Sequence, residues 1–267
     1  MVTRANLWLP LLRRLTQSSP TWGVWKRPES ALDGEGDVDA LGARGEWGTI
    51  VGEYVAWAHE AALGPVVVCT HAPDLLVLAA CEGERPTRLL QMDVYSHRIF
   101  RGARVASAEG LRPLMCLDER GFRRLRPGAE GLLLLLAEGV RRGGRPAEPA
   151  ATEAIARLLR KDREGTERAA LALGGRGAHL FAAARALADG GWDRGELMLY
   201  ELSSASRLLG HPRELATCLV RDARRLRPCG LLRALQAGRR VPGDPQSWLD
   251  EMRRSHHVYG ESGLLAS

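Results

Sequence analysis

Several features that mark particular classes of protein are scarce or missing in this sequence. The five cysteines are odd in number and form no CxxC pair. Neither a disulfide framework nor a cysteine zinc site is therefore predicted, and free thiols in a reducing compartment are expected. The longest aliphatic run, LLLLL at 132–136, is too short to cross a bilayer. The opening MVTRANLWLPLLRRL has no small-residue cleavage site and predicts a helix rather than a signal peptide. These absences predict a cytoplasmic protein with no membrane partner.

Lysine is also scarce, because Lys26 and Lys161 are the only two in 267 residues. Arginine carries almost all of the positive charge, and the net charge of +6 is too mild to predict a nucleic-acid partner by itself. The arginine-rich stretch 221–240 leaves such a partner open, including RNA, although no aromatic residue interleaves with its arginines. A solvated helix face is the ordinary alternative.

Hydrophobic periodicity changes along the chain. Up to about residue 105, short runs rich in valine and aromatic residues end at turn residues and predict strands. These runs are TWGVWK (21–26), GDVDAL (36–41), PVVVCTH (65–71), LLVLAAC (75–81) and RLLQMDVYS (88–96). One amphipathic helix is predicted over 46–64.

After Pro113 the pattern is helical, and the last thirty residues have the composition of an irregular tail. Helices are predicted over 127–144, 151–162, 164–173, 177–189, 194–209, 212–227 and 229–238. Proline and glycine cluster in RGGRPAEPA (142–150), which is typical of a linker. We therefore predict an α/β domain over 1–145 and an all-helical domain over 146–267.

The pattern Asp37-Val38-Asp39 carries the clearest chemical signal. Side chains two positions apart on a strand point to the same face, so two carboxylates are expected to converge there. Such a pair needs a cation, and a hard ion such as Mg²⁺ suits it best. Asp93, on the strand LLQMDVYS, would add a third carboxylate and complete a metal site for phosphoryl transfer. A pair of surface acids at a strand edge is the alternative interpretation.

These residues resemble the DNA polymerase beta-like nucleotidyltransferase superfamily. The texts VWKRPESALDGEGDVDALG and LLQMDVYSHRIFRG are similar to the "LKGxE…GSDIDLLV" opening and the third-acid strand of bacterial nucleotidyltransferase-like proteins. The resemblance covers roughly residues 20–145. It implies a mixed α/β sheet with flanking helices, followed here by the helical domain.

The resemblance also implies an activity. Asp37, Asp39 and Asp93 would be the catalytic and Mg²⁺-binding residues, and Lys26, Arg27 and Ser30 would contact the phosphates of a nucleoside triphosphate, with ATP the expected donor. A nucleoside monophosphate would pass to a hydroxyl of a small-molecule or protein acceptor. This chain has Arg27 where the family has glycine, and Gly36 where it has serine. The alternative is therefore a degenerate member that binds a nucleotide or a partner without turnover.

Overall fold

The computed structural model describes residues 3–34, 36–63, 66–72, 74–81, 89–173, 177–225, 257–260 and 263–265. The chain divides into two compact units. The described residues of the first belong to Met1–Ser96, Arg120–Phe122 and Leu219–Ser267, and those of the second to His97–Glu119 and Arg123–Cys218. The chain thus leaves the first unit after Ser96 and returns to it twice.

Strands and helices alternate in the first part of the described chain, and helices dominate after Pro127. The strands are β1 (Gly23–Lys26), β2 (Val38–Leu41), β3 (Val66–Ala72), β4 (Leu75–Cys81), β5 (Leu89–Tyr95), β6 (His97–Phe100), β7 (Ala103–Ser107), β8 (Met115–Leu117), β9 (Arg123–Leu125), β10 (Val140–Arg141), β11 (Arg145–Pro146), β12 (His257–Gly260) and β13 (Gly263–Leu265). The α-helices are α1 (Arg4–Ser18), α2 (Pro28–Asp33), α3 (Trp47–Glu60), α4 (Ala108–Leu111), α5 (Pro127–Leu134), α6 (Pro149–Lys161), α7 (Arg163–Ala172), α8 (Gly177–Ala188), α9 (Arg194–Gly210) and α10 (Pro212–Arg225). The chain is a mixed α/β protein, as its periodicity predicts.

The first unit is built on a mixed sheet. Its described strands lie in the order β13-β12-β3-β4-β5-β2-β1. β2 and β5 run parallel, and the other neighbours in this order run antiparallel. A parallel pair needs a crossover connection, and α3, β3 and β4 lie between these two strands in the chain. The middle of the sheet therefore joins two segments that are far apart in sequence.

One face of this sheet packs against α1 and α3. Both helices bury apolar residues at helical spacing, and the strands direct alternate residues toward these helices, as their period of two requires. The helices contribute Trp8, Leu11, Leu12, Leu15, Ile50, Tyr54 and Trp57, and the strands contribute Val24, Val38, Ala40, Val66, Val68, Leu76, Leu78, Leu90, Met92 and Val94. The residues between these strand positions point to the opposite face, which carries the polar groups described below.

The second unit combines two hairpins, β6–β7 and β8–β9, with a helical bundle. The start of α5 lies against the turn between α6 and α7, where the Asp162 carboxylate accepts hydrogen bonds from the backbone N–H groups of Gly128 and Gly165. Arg126 pairs with the same carboxylate at 2.7 Å. A Cβ atom on Gly128 would lie 2.0 Å from the Asp162 carbonyl oxygen, so only glycine allows this close approach.

The five strands predicted up to residue 96 and the helix predicted over 46–64 are confirmed, with shifts of a few residues at their ends. The prediction of continuous helix over 127–144 is wrong: α5 ends at Leu134, a π-helical turn follows over Leu135–Gly139, and β10 begins at Val140. The helical backbone stops at Gly139, and Gly143 and Gly144 adopt positive φ in the turn between β10 and β11, where glycine is favoured. The helices predicted over 151–209 are present, and that predicted over 212–227 is described to Arg225.

Other strands were not predicted from the sequence. β6 to β9 are short and lack a clear alternation of apolar residues, and β12 and β13 lie in the segment predicted to be irregular. The predicted helix over 229–238 and residues 226–240 of the arginine-rich stretch lie outside the described residues. The predicted domain boundary after residue 145 falls within β11, in the second unit, and the domain assignment stays a prediction. Of the helices described, none has the length and apolar character needed to span a membrane.

Candidate functional site

A row of polar side chains lies on the sheet face opposite α1 and α3. Along β5, Leu90, Met92 and Val94 are fully buried in the core. The intervening Gln91 and Asp93 therefore point to the other face. This alternation was predicted from LLQMDVYS, and the structure places the row on a central strand between β4 and β2.

The parallel pairing of β2 with β5 brings two of the predicted acids side by side. In its register Asp39 lies opposite Asp93, and Val38 lies opposite Met92. Asp37 was predicted within the strand, but β2 begins at Val38, after Gly36 with φ of +109°. A positive φ of this kind favours glycine, and the strand starts at Val38, two residues later than predicted.

Asp93 is a half-buried acid that accepts hydrogen bonds from its neighbours on the same strand. The Gln91 amide Nε2 donates to Asp93 Oδ1 at 2.8 Å, and the Tyr95 hydroxyl lies 3.4 Å from Oδ2. Burial, together with the charges of Asp39 and Asp37, raises the pKa of Asp93 to about 7 against the opposing effect of the hydrogen bonds from Gln91 and Tyr95. The three carboxylates thus form one electrostatic group.

Asp37 is an exposed residue whose carboxyl group is nevertheless partly withdrawn from solvent. This desolvation and the charge of Asp39 raise the pKa of Asp37, while the charges of Arg4 and Lys26 lower it. Arg4 lies in the first turn of α1 and donates from Nη2 to the Gly36 carbonyl oxygen at 3.3 Å. The first helix therefore supports the turn from which Asp37 projects.

Lys26 reaches this group because of an irregularity in β1. Val24 pairs with Ala40, and both residues belong to the core face, but the next pair is Lys26 with Asp39, so Trp25 is an extra residue. Such a bulge re-aims the side chains that follow it. As a result Lys26 Nζ lies 3.1 Å from Asp39 Oδ2.

The other two predicted phosphate-binding residues lie at the short helix α2. Arg27 is exposed and precedes the helix with φ of +42°, in the left-handed region. Glycine adopts this backbone conformation most easily. Ser30 is half-buried within α2, and its carbonyl oxygen accepts the N–H of Gly34.

The chemistry of the donor set fits a hard divalent cation. Carboxylate oxygens are the ligands that Mg²⁺ prefers, and a cation would relieve the mutual repulsion of these acids. Gln91 is 4% exposed, and its Oε1 accepts no hydrogen bond from the described residues, which points to a missing donor such as a water or a ligand group. The geometry is not that of an assembled metal centre, because the described ranges contain no group of three His, Cys, Asp or Glu side chains set to hold a metal.

The second unit contains a separate, mainly apolar cavity of about 370 Å³. Its wall includes Pro146, Pro149, Leu187 and Trp192, whose indole N–H donates to the Gly144 carbonyl oxygen at 2.9 Å. Its one acidic residue, Glu153, pairs with Arg160. The cavity contains none of the predicted site residues.

Sequence reasoning missed two contributors to the acidic group. The alternation along β5 placed Gln91 on the same face as Asp93, but it did not indicate that the two side chains are hydrogen-bonded. Nothing in the sequence pattern pointed to Arg4, since its role depends on how α1 packs. No family model, curated protein or solved structure matches the chain. A function can therefore be proposed only from the chemistry and geometry of the residues described above.

Proposed function

We propose that the protein is a Mg²⁺-dependent nucleotidyltransferase, which transfers a nucleoside monophosphate from a nucleoside triphosphate, with ATP the expected donor, to a hydroxyl of a small-molecule or protein acceptor. The observation that carries the proposal is the parallel pairing of β2 with β5, which sets Asp39 beside Asp93. Asp37, two residues before Asp39, interacts electrostatically with both. Three electrostatically coupled carboxylates, two of them side by side on neighbouring strands, are well suited to a cation that accompanies phosphates.

In this proposal Asp37, Asp39 and Asp93 hold the magnesium. When bound, magnesium supplies charge neutralisation for the phosphates. Asp93 also accepts the proton of the attacking hydroxyl. The acceptor oxygen then forms a bond to the α-phosphorus as the bond to pyrophosphate breaks.

Lys26, Arg27 and Ser30 are the proposed phosphate-binding residues. Lys26 is already beside Asp39, and Arg27 is exposed at the adjacent turn. A guanidinium offers several N–H donors to phosphate oxygens, whereas glycine offers only its backbone N–H. Arg27 would therefore replace a backbone contact with a side-chain contact.

A second candidate is a degenerate member of the same fold that binds a nucleotide or partner without turnover. The ion pair between Lys26 and Asp39 favours it, because this pair neutralises one of the metal-binding acids internally. The two candidates differ in whether pyrophosphate is released after a triphosphate binds.

The test is thermal unfolding of the full chain with each of the four common nucleoside triphosphates, with and without Mg²⁺. A ligand present at a hundred times its Kd stabilises the folded state by about 2.7 kcal/mol. We expect a Mg²⁺-dependent increase in Tm with one triphosphate, its loss in Asp37→Ala/Asp39→Ala, and its retention in the control Asp33→Ala, which changes an exposed aspartate at the end of α2.

Pyrophosphate release separates the two candidates. A Tm increase with release in the presence of an acceptor supports the transferase, and a Tm increase without release across an acceptor panel supports the binding protein. The absence of a Tm increase with every triphosphate contradicts both.

A further inference from the structure

Lys26 already forms an ion pair with one of the acids proposed to hold magnesium. Its ammonium lies 3.1 Å from Asp39 Oδ2, with 25% and 14% of the two side chains exposed. A positive charge at that distance satisfies the carboxylate on which a divalent cation would have to bind. We infer that Lys26 is a built-in counter-ion, which competes with a divalent cation for Asp39 and is transferred to phosphate when a metal-bound triphosphate enters. This inference rests on the proposed function.

The position of the ammonium is built into the fold. Without the extra residue in β1, Trp25 rather than Lys26 would pair with Asp39. The bulge therefore places Lys26, and not Trp25, beside Asp39. Trp25 is 1% exposed, and Lys26 Nζ lies 5.2 Å from the centre of its ring, within the range of a cation–π interaction. Trp25 in turn packs edge-on against Tyr95, so the ring beneath the ammonium is held by the same strand that carries Asp93.

The charges around Asp39 indicate which ligand can displace Lys26 from it. Asp39 lies opposite Asp93 in the strand register and two residues after Asp37, so the three negative charges repel one another. Lys26 offsets part of this repulsion through its ion pair with Asp39. A bare metal ion can bind the carboxylates only if it displaces the Lys26 ammonium. A metal-bound triphosphate also supplies phosphate oxygens that can accept hydrogen bonds from the displaced ammonium, so the free-energy cost of displacing it is smaller.

The inference predicts effects of opposite sign for one substitution. Lys26→Met keeps an unbranched side chain of similar length and removes its charge. We expect it to bind Mn²⁺ alone about tenfold more tightly than the natural chain, since the competing charge is gone. The same variant should bind inorganic tripolyphosphate with Mg²⁺ more weakly, because it lacks a phosphate donor.

The experiment titrates Mn²⁺ into the full chain and follows the electron paramagnetic resonance signal of the free ion. Lys161→Met is a matched control, because it removes the only other lysine, exposed at the end of α6 in the second unit. Lys26→Arg retains the charge and should keep the weak Mn²⁺ affinity. Lys26→Gln serves as a second uncharged variant if Lys26→Met unfolds, which circular dichroism reports directly.

Tighter Mn²⁺ binding in the uncharged variants, with Lys26→Arg and Lys161→Met unchanged, supports the inference. Equal or weaker Mn²⁺ binding in these variants overturns it, while a Mg²⁺-dependent Tm increase with a nucleoside triphosphate in the natural chain would still support the proposed function. Tighter Mn²⁺ binding without that Tm increase supports the counter-ion and contradicts the nucleotide site. Undiminished binding of tripolyphosphate overturns the transfer of Lys26 to phosphate.

Discussion

Asp93→Asn tests the electrostatics of the acidic group without any ligand. The folded-state pKa of Asp93 is about 7, against an ordinary 3.8. Between these values the folded chain retains a proton that the unfolded chain has lost. The free energy of unfolding therefore falls as the pH rises through this range. Asparagine cannot ionise, so the Asp93→Asn variant does not lose stability in this way.

The size of the effect follows from the two pKa values. Their difference corresponds to about 4 kcal/mol once the pH exceeds 7, and to about 1.7 kcal/mol at pH 5. Asp93→Asn should therefore gain about 2.5 kcal/mol in stability relative to the natural chain between pH 5 and pH 8. Asparagine is also close in shape and can still accept at Oδ1 from Gln91 Nε2, which limits other effects of the substitution.

Urea unfolding followed by tryptophan fluorescence measures this difference, because Trp8, Trp22, Trp25 and Trp57 are buried in the first unit. Comparing the two chains at each pH cancels the titration of groups that they share. The Asp39→Asn background is the matched control: it removes one of the charges that raise the pKa of Asp93, so the pH-dependent gain should shrink there. A stability difference that stays constant from pH 5 to pH 8 would refute the assignment of a raised pKa to Asp93.

Two further substitutions test the surroundings of the acids. Gln91→Leu removes the donor that lowers the pKa of Asp93, so the pH midpoint of Mn²⁺ binding should move up by about one pH unit; a midpoint that stays or falls contradicts this role. Arg27→Gly should change the free energy of unfolding by less than about 1 kcal/mol, because relief of the left-handed backbone offsets the extra freedom of glycine in the unfolded chain. The same variant should bind tripolyphosphate with Mg²⁺ more weakly, as isothermal titration calorimetry can show; unchanged affinity would mean that the Arg27 side chain does not contact phosphate.

The sequence predicted those parts of the fold in which periodicity is strong. The alternation in LLQMDVYS and the apolar stripe of α3 each bury one face, so a single pattern determines both the element and its orientation. Short strands such as β8 lack enough residues to show a period. The run of five leucines passes from α5 into a π-helical turn after Leu134, and a pattern of apolar residues does not distinguish these two kinds of helix.

The site was predictable as a set of acids but not as a network. Asp37, Asp39 and Asp93 are recognisable from their residue types and from the strands around them. Their relative placement depends on which strands are neighbours, and the parallel pairing of β2 with β5 is a tertiary fact that local sequence does not encode. Arg4 shows the same limit, since α1 brings it to Gly36 only through the packing of the helix.

The bulge in β1 connects the fold to the choice between the two candidate functions. A regular β1 would pair Trp25 with Asp39, leaving a neutral indole beside three carboxylates. Their repulsion would then have to be relieved by protons or by a metal at all times. With the bulge, Lys26 provides one of the needed charges, so the chain tolerates the acids before any ligand arrives. An internal charge of this kind weakens the affinity for a bare cation, while a triphosphate that brings its own metal offers the lysine a second partner. Under the proposed function the same residue would therefore weaken the binding of metal alone and favour the binding of metal with nucleotide, as expected of a transferase that takes its metal with its substrate.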